Sequence, residues 1–180
     1  MSTTATQNSV AYIPNTGLRN TYSCGIRFKP GKGVNFRIIG AKIRAAKYGS
    51  PPGNFVADLY TGNTQVASST FPVANMLNAT EQFALYFDTP TWVNSSTWTY
   101  IIGRESGGLG NSANYWFYYI TTLPAAYLPY ILPSDTRLVY GTSTTPNDYT
   151  VSPIAVPLYF MPIIDNWQTD ISPPPRSYAY

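Results

Sequence analysis

The acidic residues are the main groups in this sequence that could perform acid–base chemistry, and they are few. The chain of 180 residues has eight Asp and Glu residues and no histidine. Without histidine, neither a Ser-His-Asp triad nor a Cys-His pair can be assembled. Glycosidases need two carboxylates at a fixed separation, whereas Glu81 and Asp88 would lie over about 20 Å apart on an extended strand. We therefore expect no catalytic residues and no enzymatic activity.

Metal and cofactor sites are also poorly supplied with ligands. The single cysteine, Cys24, cannot build a thiolate cluster or an intrachain disulfide. We expect it to be a small buried hydrophobic residue. The acidic residues do not cluster as a calcium loop requires, and neither a G-x-G-x-x-G fingerprint nor a P-loop occurs. The sequence predicts no metal and no cofactor.

Aromatic side chains could act by stacking on sugar rings. The chain has 16 Tyr, 8 Phe and 4 Trp, while charged residues make up 11% of it, less than half of the usual fraction. Aromatic residues also fill cores and subunit interfaces, because they combine a large apolar area with a polar group. Packing of this kind and glycan binding remain alternatives. The candidate glycan contacts are Trp92, Trp98, Tyr115 and Trp116.

Positive charge is concentrated early in the chain. Eight of the eleven basic residues precede residue 50, and no acidic residue precedes Asp58. This pattern is typical of a solvated strand face or of a basic surface that binds an anionic partner. The charges alternate with core-facing residues and no recognition motif accompanies them, so we expect no nucleic-acid partner. The polar N-terminus and the short apolar runs predict neither a signal peptide nor a membrane partner.

The elements that position these residues are strands. Sixteen prolines and thirteen glycines interrupt the sequence about every six positions, which leaves little room for helices. Eight or nine short alternating segments follow one another. The sequence therefore predicts an all-β fold, a single jelly-roll-like two-sheet antiparallel β-sandwich.

Two alternating segments predict which residues face the core. In the segment 34–46, Gly40 indicates a β-bulge or a close approach of two backbones. In the segment 55–60, alternate residues should point inward. The expected core-facing residues are Ile39, Ala41, Ile43 and Ala45 in the first segment and Phe55, Ala57 and Leu59 in the second.

Both ends of the chain depart from the strand rhythm. The sequence predicts an N-terminal arm over 1–20, a sandwich domain over 21–161 and an extended Pro-rich C-terminal arm over 162–180. Because the strands are expected to end near Met161, deletion of residues 165–180 should leave the sandwich folded. The segment 115–120 has large side chains on both faces, which predicts self-association, since large exposed apolar patches mark interfaces.

Two motifs resemble a known class of protein. A strand, the loop Gly49-Ser50-Pro51-Pro52-Gly53-Asn54 and a strand ending at Leu59-Tyr60 are followed by the aromatic segment 92–102. This order resembles the jelly-roll modules of phage virion proteins and of some surface proteins. The unpaired cysteine, the expected lack of a signal peptide, the polar N-terminal arm and the Pro-rich aromatic C-terminal arm resemble bacteriophage capsid decoration proteins, also called cement proteins.

The resemblance implies a non-enzymatic virion structural protein that is made in the host cytoplasm. Such a protein binds the major capsid protein on the exterior of a preformed shell, often as a homotrimer. A glycan- or receptor-binding sandwich, such as a tail-associated adhesin, and a tail or baseplate component remain alternatives. The expected capsid or subunit contacts are Arg19, Arg27, Lys29, Lys32, Tyr118, Trp167, Arg176, Tyr178 and Tyr180.

Overall fold

The structure, a computed structural model, describes residues 23–76, 81–106, 115–118, 131, 135–141, 145–151 and 160–169. Strands dominate these ranges, and the only helices in them are single turns of 3-10 helix. The prediction of an all-β fold is confirmed. The strands are β1 (Ser23–Phe28), β2 (Val34–Tyr48), β3 (Asn54–Thr61), β4 (Thr64–Phe71), β5 (Glu81–Val93), β6 (Thr99–Ser106), β7 (Tyr115–Tyr118), β8 (Arg137–Gly141), β9 (Thr150–Val151) and β10 (Phe160–Thr169).

The strands form two antiparallel sheets that pack against each other as a β-sandwich. One sheet has the order β4-β3-β6-β1-β8-β9, and the other has the order β10-β2-β5 with β7 also paired to β2. Ala45 pairs with both Glu81 and Tyr118, so β7 lies on the edge of β2 opposite to β5. The β3–β4 hairpin turns at Gly62, whose φ of 57° is a conformation that glycine adopts without strain.

The hydrophobic core lies between the sheets. Cys24 is buried in it, as predicted. Phe28 and Phe36 stack with their ring centroids 6.3 Å apart, and Phe71 and Phe83 stack at 4.4 Å. Each of these two pairs joins one sheet to the other. Full burial of a side chain of this size stabilises the folded state by about 1.5–3 kcal/mol. The core therefore holds the two sheets together and fixes the positions of the residues on their outer faces.

Gly40 marks a change of face within β2. Phe36 and Ile38 face the core before it, and Ala41 faces the core after it. The pairing with β5 shifts its register at this point, and a Cβ atom at Gly40 would lie 2.3 Å from the Leu85 carbonyl oxygen. The predicted bulge and the predicted close approach are therefore both present.

The bulge also corrects one predicted core residue. Ile39 was expected to share a face with Ala41, but Ile38 is fully buried instead and Ile39 is half-buried. An extra residue in a strand reverses the alternation between inward and outward side chains beyond that point. A prediction that assumes a strict period of two therefore assigns the wrong face on one side of the bulge. The remaining predictions for these segments are confirmed, because all of the following are fully buried: Ala41, Ile43, Ala45, Phe55, Ala57 and Leu59.

The prediction that the strands end near Met161 is wrong. Strand β10 continues to Thr169 and pairs with β2 along its length. Pro162 cannot donate a ladder hydrogen bond, and register shifts on both sides of Ile164 break the alternation, so the sequence pattern conceals the strand. The backbone of Trp167 pairs opposite Phe36 and is not part of a free arm. Residues 1–22 and 170–180 lie outside the described residues.

Candidate functional site

Three turns meet at one end of the sandwich, which we call the Trp98 end; it consists of residues 29–34, 61–64 and 94–98. The first turn is closed by a hydrogen bond from the Val34 amide to the Gly31 carbonyl at 3.0 Å. The second is joined to the third, because the Gly62 amide donates to the Trp98 carbonyl at 2.8 Å. Strand β6 pairs with β1 on one side and with β3 on the other, which places the three turns side by side.

Two cations lie over the ring of Trp98. The guanidinium carbon of Arg27 is 4.2 Å from the ring centroid, and the Nζ atom of Lys29 is 5.0 Å from it. The two charges are therefore no more than about 9 Å apart, close to the screening length of about 8 Å at physiological ionic strength. The electron-rich π system of the indole offsets part of their mutual repulsion.

The cations of the Trp98 end are separate from two ion pairs of the sandwich, Arg37 with Asp165 and Arg104 with Asp58. Arg27, Lys29 and the exposed Lys32 in the adjoining turn take part in neither. The Trp98 end is therefore a basic surface with an aromatic support.

An aromatic cluster behind Trp98 supports its ring. This cluster lies on the outer face of the six-stranded sheet, because Ile101 points into the core and its neighbours along β6 point away from it. Tyr100 pairs with Arg27 across the strands, and its hydroxyl donates to Asn147 Oδ1 at 2.5 Å. The cluster consists of Tyr100, Ile102, Val139 and Tyr149, with Tyr60, Trp98 and Val151 packed against it.

Burial changes the titration of three tyrosines in this cluster. Desolvation raises the pKa of Tyr60, Tyr100 and Tyr149 above the ordinary value of 10.0. An ionised phenol is disfavoured in apolar surroundings. The three side chains therefore stay neutral at physiological pH, and the positive charge of Arg27 and Lys29 is not offset by phenolate.

A buried carboxylate, paired with a partly exposed arginine, lies further along the same face. Asp58 is fully buried, and it accepts hydrogen bonds from Arg104 Nε, from Ser68 Oγ at 2.7 Å and from Gln65 Nε2 at 3.2 Å. A buried carboxylate is stable only when such donors surround it. Because these donors come from β4 and β6, Asp58 ties three strands together, and we assign it a structural role.

Trp92 lies on the other sheet. Its side chain is 44% exposed, and it lines a surface depression of about 350 Å³ together with Asn35, Val93 and Asn94. Val93 is buried and points into the core, so Trp92, its neighbour along β5, points outward. Arg37 pairs with Trp92 across the strands and binds Asp165 through two hydrogen bonds, of which Nε to Oδ1 measures 2.8 Å.

The structure brings some of the predicted site residues together and separates others. Arg27, Lys29 and Trp98 form one group, although the sequence assigned them to two different functions. Trp92 and Trp98 do not form a common surface, because the turn 94–98 carries the chain from the four-stranded sheet to the six-stranded sheet.

The remaining candidates are placed only in part. The backbones of Tyr115 and Trp116 pair with the far end of β2, opposite Tyr48 and Lys47. Their side chains, and those of Tyr118 and Trp167, lie outside the described residues. The same holds for the whole of Arg19, Arg176, Tyr178 and Tyr180.

Sequence reasoning missed the two asparagines beside Trp92. A signal for Asn94 was present, because Asn followed two residues later by Ser is typical of a side-chain-capped turn. Asn35 gave no signal, since only the pairing of β2 with β5 brings it near Trp92.

Among the described residues, no group of three His, Cys, Asp or Glu side chains could hold a metal ion. The described residues also contain no helix with the length and apolar character needed to cross a membrane. Comparisons with protein families, with curated proteins and with solved structures find no match.

Proposed function

We propose that this protein is a non-enzymatic structural component of a virion, a cement protein that binds the exterior of the assembled capsid and stabilises it. The observation that carries the proposal is the Trp98 end, where Arg27 and Lys29 share one indole ring and Lys32 lies exposed beside them. The resemblance of the sequence to capsid decoration proteins supports the choice of partner.

The Trp98 end is suited to an acidic partner because its cations are held in place before binding. An exposed ion pair usually contributes only about 0–1 kcal/mol, since two long side chains must be ordered to form it. Arg27 and Lys29 are already ordered by the ring of Trp98, so less conformational entropy is lost on binding. A carboxylate in front of the ring would interact with both cations. An acidic patch on the major capsid protein therefore fits this surface.

Binding of this kind stabilises the shell by mass action. A ligand that binds only the assembled state stabilises it by about 2.7 kcal/mol when its concentration is 100 times its Kd. A homotrimer, as in the decoration proteins that this chain resembles, would present three such surfaces and raise the effective affinity further. Sedimentation of the protein as a stable monomer of 19.9 kDa would contradict the trimer.

The test uses capsids of the virus that encodes this chain, purified without it. Added protein should co-sediment with the capsids and raise the temperature at which they disrupt. Reversing the charge of one cation, by Lys29→Glu, should weaken attachment by about tenfold, because like charges would then face each other across the contact.

Lys42→Glu is the matched control. It changes the net charge equally, at an exposed residue in the middle of β2 on the four-stranded sheet. We expect attachment of this variant to stay within about twofold of the native value. If the native protein does not bind capsids, or if both variants bind equally poorly, the proposed function or its assigned surface is wrong.

A further inference from the structure

We propose that the depression beside Trp92 is a carbohydrate-binding subsite for one neutral pyranose ring. This site lies on the four-stranded sheet, whereas capsid attachment is assigned to the Trp98 end. The two proposals therefore rest on different residues and fail independently.

Trp92 supplies the stacking surface. Among the described residues, the large hydrophobic side chains that are exposed are Trp92, at 44%, and Tyr86, at 65%. The face of an indole carries partial negative charge. The C–H bonds on one side of a pyranose ring carry partial positive charge and form a flat apolar surface, so the two faces attract each other. Of the two exposed rings, only Trp92 borders the depression.

Asn94 supplies hydrogen-bond donors in a fixed orientation. Its Oδ1 atom accepts hydrogen bonds from the Ser96 amide at 2.9 Å and from the Ser96 hydroxyl. Because a backbone amide can only donate, these contacts identify the oxygen of the carboxamide and leave its Nδ2 group for a ligand. No described residue accepts from Nδ2. Two N–H donors held by a turn beside an indole ring are suited to the hydroxyl groups of a sugar.

The other walls restrict the size and charge of the ligand. A volume of about 350 Å³ lies near the lower end of the range for small-molecule sites, about 300–1,000 Å³, and favours a single ring. Asn35 adds a second carboxamide to the lining of the depression. Arg37 lies beside Trp92, but Asp165 holds and neutralises its guanidinium. A neutral sugar therefore fits better than a sialic or uronic acid.

The affinity for a single ring should be low. The contact area is small and the site is open, so we expect a dissociation constant of about 1 mM for a monosaccharide unit. Several copies of the site on one particle would bind a repeating polysaccharide more tightly through avidity.

The experiment is a screen of the full-length protein against an array of neutral and anionic oligosaccharides, followed by NMR titration of the best neutral ligand. Trp92→Ala should weaken binding by about tenfold or more, and Trp92→Phe should retain part of it. Asn94→Asp is more specific, because it keeps the oxygen acceptor that closes the turn while removing the Nδ2 donors. Its binding should also fall by about tenfold.

Tyr86→Ala is the matched control, since it removes the other exposed ring of the same strand. It should leave binding unchanged, and thermal melting should show that each variant is folded. The proposal is overturned if no neutral saccharide binds, if binding survives Trp92→Ala or Asn94→Asp, or if Tyr86→Ala weakens it equally. Capsid attachment of the same variants, measured separately, distinguishes these failures from failure of the proposed function.

Discussion

Trp92 and Trp98 lie on either side of one turn, but their surroundings differ. Trp98 is half-buried against the aromatic cluster of the six-stranded sheet, and Arg27 and Lys29 lie over its ring. Trp92 is 44% exposed on the four-stranded sheet and borders a depression. Two residues of the same type, six positions apart, therefore have different surroundings. An indole with occupied faces supports its neighbours, whereas an indole with an open face is available to a ligand.

The two ion pairs show the same contrast between the sheets. Asp58 is fully buried on the outer face of the six-stranded sheet and is surrounded by donors from two further strands. Asp165 and Arg37 form their pair at the surface of the four-stranded sheet. We therefore expect substitutions on the outer face of the six-stranded sheet to affect stability, and those on the outer face of the four-stranded sheet to affect binding.

The largest effect should come from shortening β10, because this strand holds the edge of β2 that carries Asn35 and Arg37. Deletion of residues 165–180 removes the half of β10 that pairs with Val34–Arg37, together with the ion pair to Arg37. We expect the thermal unfolding midpoint of this truncated protein to fall by on the order of 10 °C or more. Deletion of residues 170–180 leaves β10 complete and should preserve most of the stability. Equal midpoints for the two truncated proteins in thermal melts would contradict the role of β10.

The next effect concerns the ion pairs. Asp58→Ala should lower the free energy of unfolding by about 3 kcal/mol, because Ser68, Gln65 and Arg104 lose a buried acceptor. Asp165→Ala should cause no measurable loss, since its pair is solvated and screened. Urea denaturation of both variants measures the difference. A similar loss in both would show that the contrast between the sheets is wrong.

The two tryptophans should then separate stability from binding. Trp98→Ala should lower the free energy of unfolding by about 2 kcal/mol. It removes packing against Tyr100 and the ring over which Arg27 and Lys29 lie. Trp92→Ala should change stability by less than about 0.5 kcal/mol. The order should be reversed for saccharide binding, which Trp92→Ala should weaken by about tenfold or more and Trp98→Ala should leave unchanged. Denaturation and NMR titration of the same two protein samples provide the comparison.

The smallest effect is a pH dependence of the six-stranded sheet. Burial raises the pKa of Tyr60, Tyr100 and Tyr149 above 10.0, so the folded state keeps protons that the unfolded state has lost. This contribution to stability is fully present below about pH 10 and is lost as the pH rises through the folded-state pKa values. Tyr149→Phe should make the decline above about pH 10 shallower, because it removes one of the groups whose proton the folded state retains. An unchanged decline in Tyr149→Phe would contradict the assignment.

Local patterns allowed part of this fold to be predicted from the sequence. The inward positions of Phe55, Ala57 and Leu59 follow from a strict period of two, and Gly40 signalled the bulge. Strand β10 could not be predicted, because Pro162 and two register shifts remove the alternation on which strand prediction depends. Only the pairing with β2 identifies the segment 160–169 as one strand.

The candidate sites were less accessible to sequence reasoning than the fold. Arg27 and Trp98 are far apart in sequence and meet because β1 pairs with β6. Asn35 and Trp92 meet because β2 pairs with β5. Strand pairing between distant segments depends on the packing of the whole sandwich, so the residue types were identified while their grouping was not.

The most direct test of the proposed attachment is electron cryomicroscopy of capsids decorated with this protein. We predict density on the exterior of the shell, with the turns of the Trp98 end facing the capsid and the Trp92 depression open to solvent. Density located at the tail or baseplate, or a bound protein whose Trp98 end points away from the shell, would contradict it.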